Sequence, residues 1–471
     1  MRIIIGGAGR VGGELARALR AEDKDVVIVD NDIRSVKNSQ NMDVLVLHGD
    51  VTQRSKLVES GIGEAQIFVA TTDSDHKNLL ACSIAKHAHN QLRKGKSELI
   101  TICRVRDPVL VLEHESGDLS EWAGVDHIVD AIDSSIDRLM AGLKSPSLEH
   151  VIPFDHSAYV LELTVTQDAE VVAYNSLREA EHRMEGGLPP IVGLKRSGEP
   201  GKVPTSNDRI MPQDRLAVAT AGESSFNRLL RLFGHEAVEF PDEPRVVIFG
   251  ASLVGCRLAE AWLEAGASVS VVERDLNLAN EIAGSSIGSN SNLEVIHGDH
   301  LDRQLLAEIE ISEQDIAISA LSDDHASIAA ALLASDSGVS RTGLVLYEAD
   351  LVNVVRRMGI TFAVDWKRVA VDSILAKIHN ELPGPYAVLE SIPDVVGICI
   401  PISERYKHSG KSLEKISLPD WCTLAFIQRM SPQGTWSTIR PSSQKVVEVG
   451  DRLTMFLPPD RVEELERRFK V

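Results

Sequence analysis

Gly7, Gly9 and Gly12 stand in the spacing G-x-G-x-x-G inside "IIIGGAGRVGGELARAL" (residues 3–19), between an apolar run and a helical pattern. The three glycines have separate uses there. The first permits a tight turn, the second leaves room for a pyrophosphate against the backbone, and the third lets the helix pack on its strand. Asp30 closes the next apolar run, "DVVIVD" (25–30), where a carboxylate accepts hydrogen bonds from both hydroxyls of a ribose. The chemistry on offer is recognition of a dinucleotide or an adenine nucleotide. The charge of Asp30 repels a 2′-phosphate and so favours NAD over NADP. The alternative is a strand–helix–strand unit whose glycines serve packing alone.

Ala8, Arg10 and Val11 complete the turn, and further candidates end the neighbouring runs. Gly49 and Asp50 close "DVLVLHGD" (43–50); Thr72, Asp73 and Ser74 follow "AQIFVA"; Arg104 ends "ELITICRV" (98–105) and offers a planar donor to phosphate. All fall at the carboxyl edge, where ligands of open parallel sheets bind. The pattern returns as "VVIFGASLVGCRLAEAW" (246–262), with Gly250, Ala251, Ser252, Leu253, Val254 and Gly255 in the turn, Glu273 in the ribose position and Asp299 matching Asp50. Ser252 puts a side chain where the phosphates come closest, and register places Tyr347 where the first half has Arg104. The second site is expected to be altered.

No catalytic residues are expected. His87 and His89 lie two apart on a helix, point in different directions and read as solvated; His48 and His297 precede equivalent Gly-Asp pairs. "DSSID" (133–137) and "SDDH" (322–325) read as helix caps. The sequence contains no nucleophile elbow, P-loop or zinc spacing. The competing possibility is an NAD-dependent oxidoreductase.

The elements that must position these residues occur twice. Short Val/Ile-rich runs separated by helices recur in the second half as "SVSVVERD", "LEVIHGD", "DIAISALSDD" and "GLVLYEA", the mark of parallel strands covered on both faces. The expected fold is α/β: two tandem Rossmann-like, doubly wound parallel sheets (1–143 and 243–380), each followed by a small α+β domain (144–222 and 381–471), with a linker at 223–242. In the opening helices Val11, Leu15, Ala18 and Leu19 share a stripe, as do Val254, Leu258, Ala261 and Trp262.

A chain of 471 residues is too long for one core. Its net charge of −20 repels phosphate backbones and anionic lipids, which disfavours nucleic-acid and direct membrane partners. Five scattered cysteines suit free thiols in a reducing cytosol. No apolar run reaches the ~18 residues of a spanning helix, and the start of the chain leads into a strand without a signal-peptide pattern.

Together "IIIGGAGRVGGELA", "VVIVD", "ATTDSDHKNLLACSIAK", "ICRVRDP" and the ending "GDRLTMF" resemble the TrkA family, regulatory subunits of Trk potassium uptake systems. The resemblance implies two RCK (regulator of potassium conductance) units, each a Rossmann-like part and a small C-terminal part. It implies that Gly7 to Val11, Asp30, the Asp73–Ser74 loop and Arg104 contact NAD(H), ATP or ADP. Gly250 to Val254 and Glu273 would be the second-half counterparts. It further implies a homo-oligomer, a tetrameric ring, held at the inner face of the cell membrane by an integral-membrane potassium transporter. A different cation channel or antiporter, or a free-standing sensor, are the other readings. The apolar stretch "WKRVAVDSILAKI" (366–378) is a candidate for subunit contact or for an internal core helix.

Overall fold

A computed structural model describes residues 2–469, apart from 40–41, 94–97, 116, 156–157, 185–186, 222, 236–240, 382–384, 405, 407–408, 417, 432–435 and 443. The first half opens with a parallel sheet of six strands: Arg2–Gly6 (β1), Asp25–Asp30 (β2), Leu45–His48 (β3), Ala65–Ala70 (β4), Ile100–Arg104 (β5) and His127–Val129 (β6). Their order is β3-β2-β1-β4-β5-β6, so the strand order reverses beside β1. Ile3, Ile4 and Ile5 are all fully buried. That absence of alternation is what a central parallel strand covered by helices on both faces requires.

A small antiparallel sheet follows, built from Leu148–Asp155 (β7), Ala158–Thr164 (β8), Ile191–Lys195 (β9) and Arg215–Ala221 (β10) in the order β7-β8-β10-β9. The second half repeats the plan. Arg245–Phe249 (β11), Ser268–Glu273 (β12), Leu293–His297 (β13), Ile316–Ser319 (β14), Arg341–Leu346 (β15) and Phe362–Asp365 (β16) form a parallel sheet ordered β13-β12-β11-β14-β15-β16. Pro385–Val388 (β17), Val396–Pro401 (β18), Thr423–Met430 (β19), Trp436–Ile439 (β20) and Arg452–Leu457 (β21) make the last sheet. The expected class, two doubly wound sheets each followed by a small α+β part, is the architecture found.

Two sequence expectations change, and one choice between two alternatives is decided. Residues 223–232, placed in a linker, form a helix whose Phe226, Leu229 and Leu230 are buried. In the opening helix Ala16, not Ala18, joins Val11, Leu15 and Leu19 in the core. The helix Trp366–Glu381 is internal: Val369, Ala370, Ile374, Leu375 and Ile378 are buried within the chain.

The chain divides into two compact units, Met1–Ala131 with Lys367–Tyr386, and Ile132–Trp366 with Ala387–Val471. In the second unit the helix Ile132–Gly142 packs on the second sheet. A Cβ on Gly142 would lie 2.3 Å from the ring of Phe362, and Asp133 pairs with Arg257 at 3.0 Å rather than only capping its helix. In the same unit Glu162, almost wholly buried, accepts the backbone N–H groups of Glu390 and Ser391 at 2.9 and 2.7 Å, satisfying a carboxylate that burial alone would disfavour. All five cysteines are free, and burial pushes the thiols of Cys399 and Cys422 up to about 11 and about 12. They stay protonated and unreactive near neutral pH.

Candidate functional site

The turn between β1 and the helix Arg10–Ala21 assigns each glycine a measurable task. Gly7 sits at φ +115°, a conformation that favours glycine. A Cβ on Gly12 would lie 1.9 Å from the carbonyl oxygen of Gly7, so this position lets helix and strand touch. A Cβ on Gly9 would meet nothing within 4 Å, and Gly9 has ordinary extended backbone angles (φ −60°, ψ −174°). No packing or backbone demand inside the protein therefore calls for glycine at residue 9; the open space faces the start of a helix that no side chain caps. Uncapped first-turn amides at the positive end of a helix are an anion site.

Asp30 holds this turn in place. Its Oδ2 accepts the backbone N–H of Ala8, and its Oδ1 accepts that of Asp32 at 2.6 Å. Each carboxylate oxygen has a second lone pair for a ribose hydroxyl. Asp32 in turn caps the next helix through Arg34 and Ser35, and these bonds hold its carboxyl below the usual range. Asp50 is held low likewise, by the backbone N–H and hydroxyl of Thr52 at 2.9 and 2.7 Å.

At the carboxyl edge of the first sheet these residues enclose a cavity of about 340 Å3, within the size range of small-molecule sites. Gly7, Gly9, Arg10, Val11, Asp30, Asp50, Thr72, Asp73 and Arg104 line it, as do Asn31, Asp32, Ser35, Thr71, Lys77 and Lys367. Ala8, Gly12, Gly49 and Ser74 stand behind the lining. Ala8 and Gly12 shape the turn, Gly49 lies against the side chain of Lys56, and Ser74 caps the helix Asp75–Leu92 by accepting the N–H of Lys77. Burial and the neighbouring Arg106 lower the pKa of the Arg104 guanidinium from its ordinary value, which leaves it charged at neutral pH. The cations Arg10, Lys77, Arg104 and Lys367 balance four lining carboxylates, so phosphate meets a locally neutral wall in a strongly acidic chain.

Asn78, which sequence reasoning missed, ties the far side together. Fully buried, it accepts from the Thr72 N–H at 2.9 Å and donates to the carbonyls of Thr72 and Arg104 at 3.2 and 2.9 Å. Arg106 donates to the carbonyl of Asp73 and fixes that loop. Lys77 was findable, one turn into a helix that starts at the carboxyl edge. Lys367 was not, because it lies in the other half of the chain.

The second turn has the same scaffold and a different surface. Gly250 keeps positive φ (+101°), Gly255 packs 2.0 Å from the Gly250 carbonyl by the same test, and Glu273 accepts the N–H groups of Ala251 and Asp275 at 2.6 and 2.7 Å. Ser252, however, caps its own helix: its hydroxyl accepts the Gly255 N–H at 3.3 Å and donates to the Ala320 carbonyl at 2.7 Å. Asp299 accepts the Leu301 N–H at 2.9 Å, and Leu253 and Val254 begin the helix, with Val254 buried.

The register of Tyr347 needs correction. Asp75 accepts the N–H groups of Arg106 and Asp107, and Asp324 accepts those of Tyr347 and Glu348. Tyr347 thus matches Arg106, and the counterpart of Arg104 is Val345, buried in β15. The counterpart of Lys77 is Ala326. With the helix start capped and both cations missing, we expect one nucleotide per chain; native mass spectrometry finding two would contradict this.

Three of the four histidines singled out by the sequence meet backbone carbonyls. His89, expected on the surface, is buried and its Nδ1 lies 2.8 Å from the Ile62 carbonyl. His48 and His297 each reach a backbone carbonyl at 3.1 Å, those of Asn31 and Arg274. Among the described residues no group of three or more His, Cys, Asp or Glu side chains is placed to hold a metal.

Two doubly wound sheets, the first with an open glycine turn and a carboxylate at the end of its second strand, define a tandem protein of the NAD-binding Rossmann fold. The TrkA-N domain family model matches residues 3–130 and 246–365, more than half of the sequence. The chain belongs to the TrkA-N family. It is 25% identical to the Trk system potassium uptake protein TrkA of Azorhizobium caulinodans, over 100% of this chain and 99% of that one. Its fold is similar to the crystal structure of the GsuK RCK domain (TM-score 0.54, 19% identity), which spans 100% of this chain and 95% of that one. The GsuK channel bound to NAD is similar to the same degree (TM-score 0.54, 19% identity), spanning 100% of this chain and 79% of that one. The expectation of no catalytic activity agrees with this company, named for potassium uptake and for RCK domains.

Proposed function

We propose that this chain is the nucleotide-sensing regulatory subunit of a Trk-type potassium uptake system, responding to NAD(H), ATP or ADP in its first cavity. Gly9 carries the reading: glycine stands where the protein itself has no use for one, at an uncapped helix start facing a cavity lined by the Asp30 carboxylate. In this reading the turn amides and Arg104 hold phosphate and Asp30 holds the ribose. The chain acts as a homo-oligomer, a tetrameric ring of RCK units at the inner face of the cell membrane, attached through an integral-membrane transporter. Two features support attachment through a partner. Among the described residues no helix is long and apolar enough to cross a membrane, and a charge of −20 repels anionic lipid.

A regulator of this kind works only if its ligand prefers one arrangement of the assembly. Moving a two-state assembly from 1:99 to 99:1 takes about 5.5 kcal/mol of differential affinity, which several modest sites supply together. Calorimetry of the full chain with NADH, NAD, ADP and ATP should give saturable binding, and NADH with candidate acceptors should show no turnover. Turnover above about 1 per second would favour an enzyme instead, and no binding of any of the four would overturn the reading. Asp30→Ala is expected to weaken NADH and ADP together, by roughly tenfold or more, because both present the same ribose. Loss of one ligand alone would contradict the shared ribose contact.

A further inference from the structure

Lys367 lines the same cavity as the glycine turn, yet it lies in the second half of the chain, as the second residue of the helix Trp366–Glu381. Within the first unit two points relate this helix to the helix Arg10–Ala21. At one end Lys367 and Arg10 share the cavity; at the other, His379 lies 3.3 Å from Glu22. Both partners are twelve residues further along their own chain segments. Equal steps at the fixed rise of an α-helix mean that the two helices run in parallel. Both therefore direct their positive ends toward the cavity, and Lys367 sits at the level of the phosphate turn.

The residue directly before Lys367 belongs elsewhere. Trp366 is buried in the second unit, its ring 5.9 Å from that of Tyr347, immediately after β16. The boundary between the units falls on the peptide bond between Trp366 and Lys367.

Resting on the nucleotide reading above, we propose that Lys367 is a specificity-determining residue that reads the ligand's phosphates. Its ammonium and the first turn of its helix attract the phosphate chain held by the glycine turn. A nucleotide in the first half thereby draws on a residue two peptide bonds from the second sheet's last strand. The cavity then distinguishes ligands by phosphate charge, and that distinction is passed directly to the other half of the chain. Lys367 is only half-buried, so its replacement leaves the core intact.

Calorimetry of the full-length protein with AMP, ADP and ATP tests this. In the wild type affinity should rise along the series. In Lys367→Ala the rise should flatten, with ADP and ATP weakened about tenfold, equal to about 1.4 kcal/mol. Lys367→Arg should retain the rise, which a merely structural role would not require. Hydrogen exchange adds a second readout: saturating ADP should protect the amides of Phe362–Asp365 in the wild type and not in Lys367→Ala. An unchanged rise in the alanine variant, or equal protection of that strand, overturns the proposal and leaves the nucleotide reading standing. A wild type that binds none of the three overturns both.

Discussion

The Gly9→Val protein is expected to fold as the wild type does and to bind no nucleotide, a loss of at least about a hundredfold, or ~3 kcal/mol. A Cβ at this position meets nothing within 4 Å, and its backbone angles suit any residue, so the branch point of valine brings neither strain nor overlap. Its two methyl groups instead occupy the space before the uncapped first turn of the helix Arg10–Ala21, where a pyrophosphate would have to approach the amides. A melting curve and a calorimetric titration together decide the matter. Unchanged affinity in a folded variant would remove the phosphates from this turn.

Gly12→Val, three residues away, should have the opposite signature. Its Cβ would be placed 1.9 Å from the backbone oxygen of Gly7 and 2.8 Å from the Thr71 hydroxyl, and neither the turn nor the strand can move aside cheaply. The expected cost is about 3 kcal/mol or more, a fall in Tm of roughly 10 °C for a unit of this size. Loss of ligand in this variant would follow from loss of structure. Thermal denaturation within about 2 °C of the wild type would mean that the turn yields more easily than the 1.9 Å approach implies. The pair separates a glycine kept for the ligand from a glycine kept for the fold.

The cradle was legible in the sequence because its parts are local. Gly7, Gly9, Gly12 and Asp30 lie within one strand–helix–strand unit, where spacing along the chain fixes spacing in space. Arg104 declared itself as a charge ending an apolar run. What stayed hidden depends on packing between distant segments. Asn78 reads as an ordinary helix residue until its amide is seen bridging Thr72 and Arg104. The alignment of Tyr347 with Arg104 fails because the motif alone leaves the register of these strand ends open by two residues. The true register is set by buried Asp324, which accepts the Tyr347 N–H at 3.0 Å. His87 and His89 point in different directions, as their spacing implies, but His89 points inward and is not solvated. Lys367 was beyond reach because a repeat invites each half to be read alone, whereas the helix that follows the second sheet completes the first unit.

Small-angle scattering of the purified full-length protein, recorded at calorimetrically established saturation with ADP, ATP and NADH in turn, probes the switch itself. At least two of these nucleotides are predicted to give different profiles, since a sensor must convert ligand identity into shape. Superimposable curves for the free protein and all three loaded forms would contradict the account, however tightly the ligands were bound.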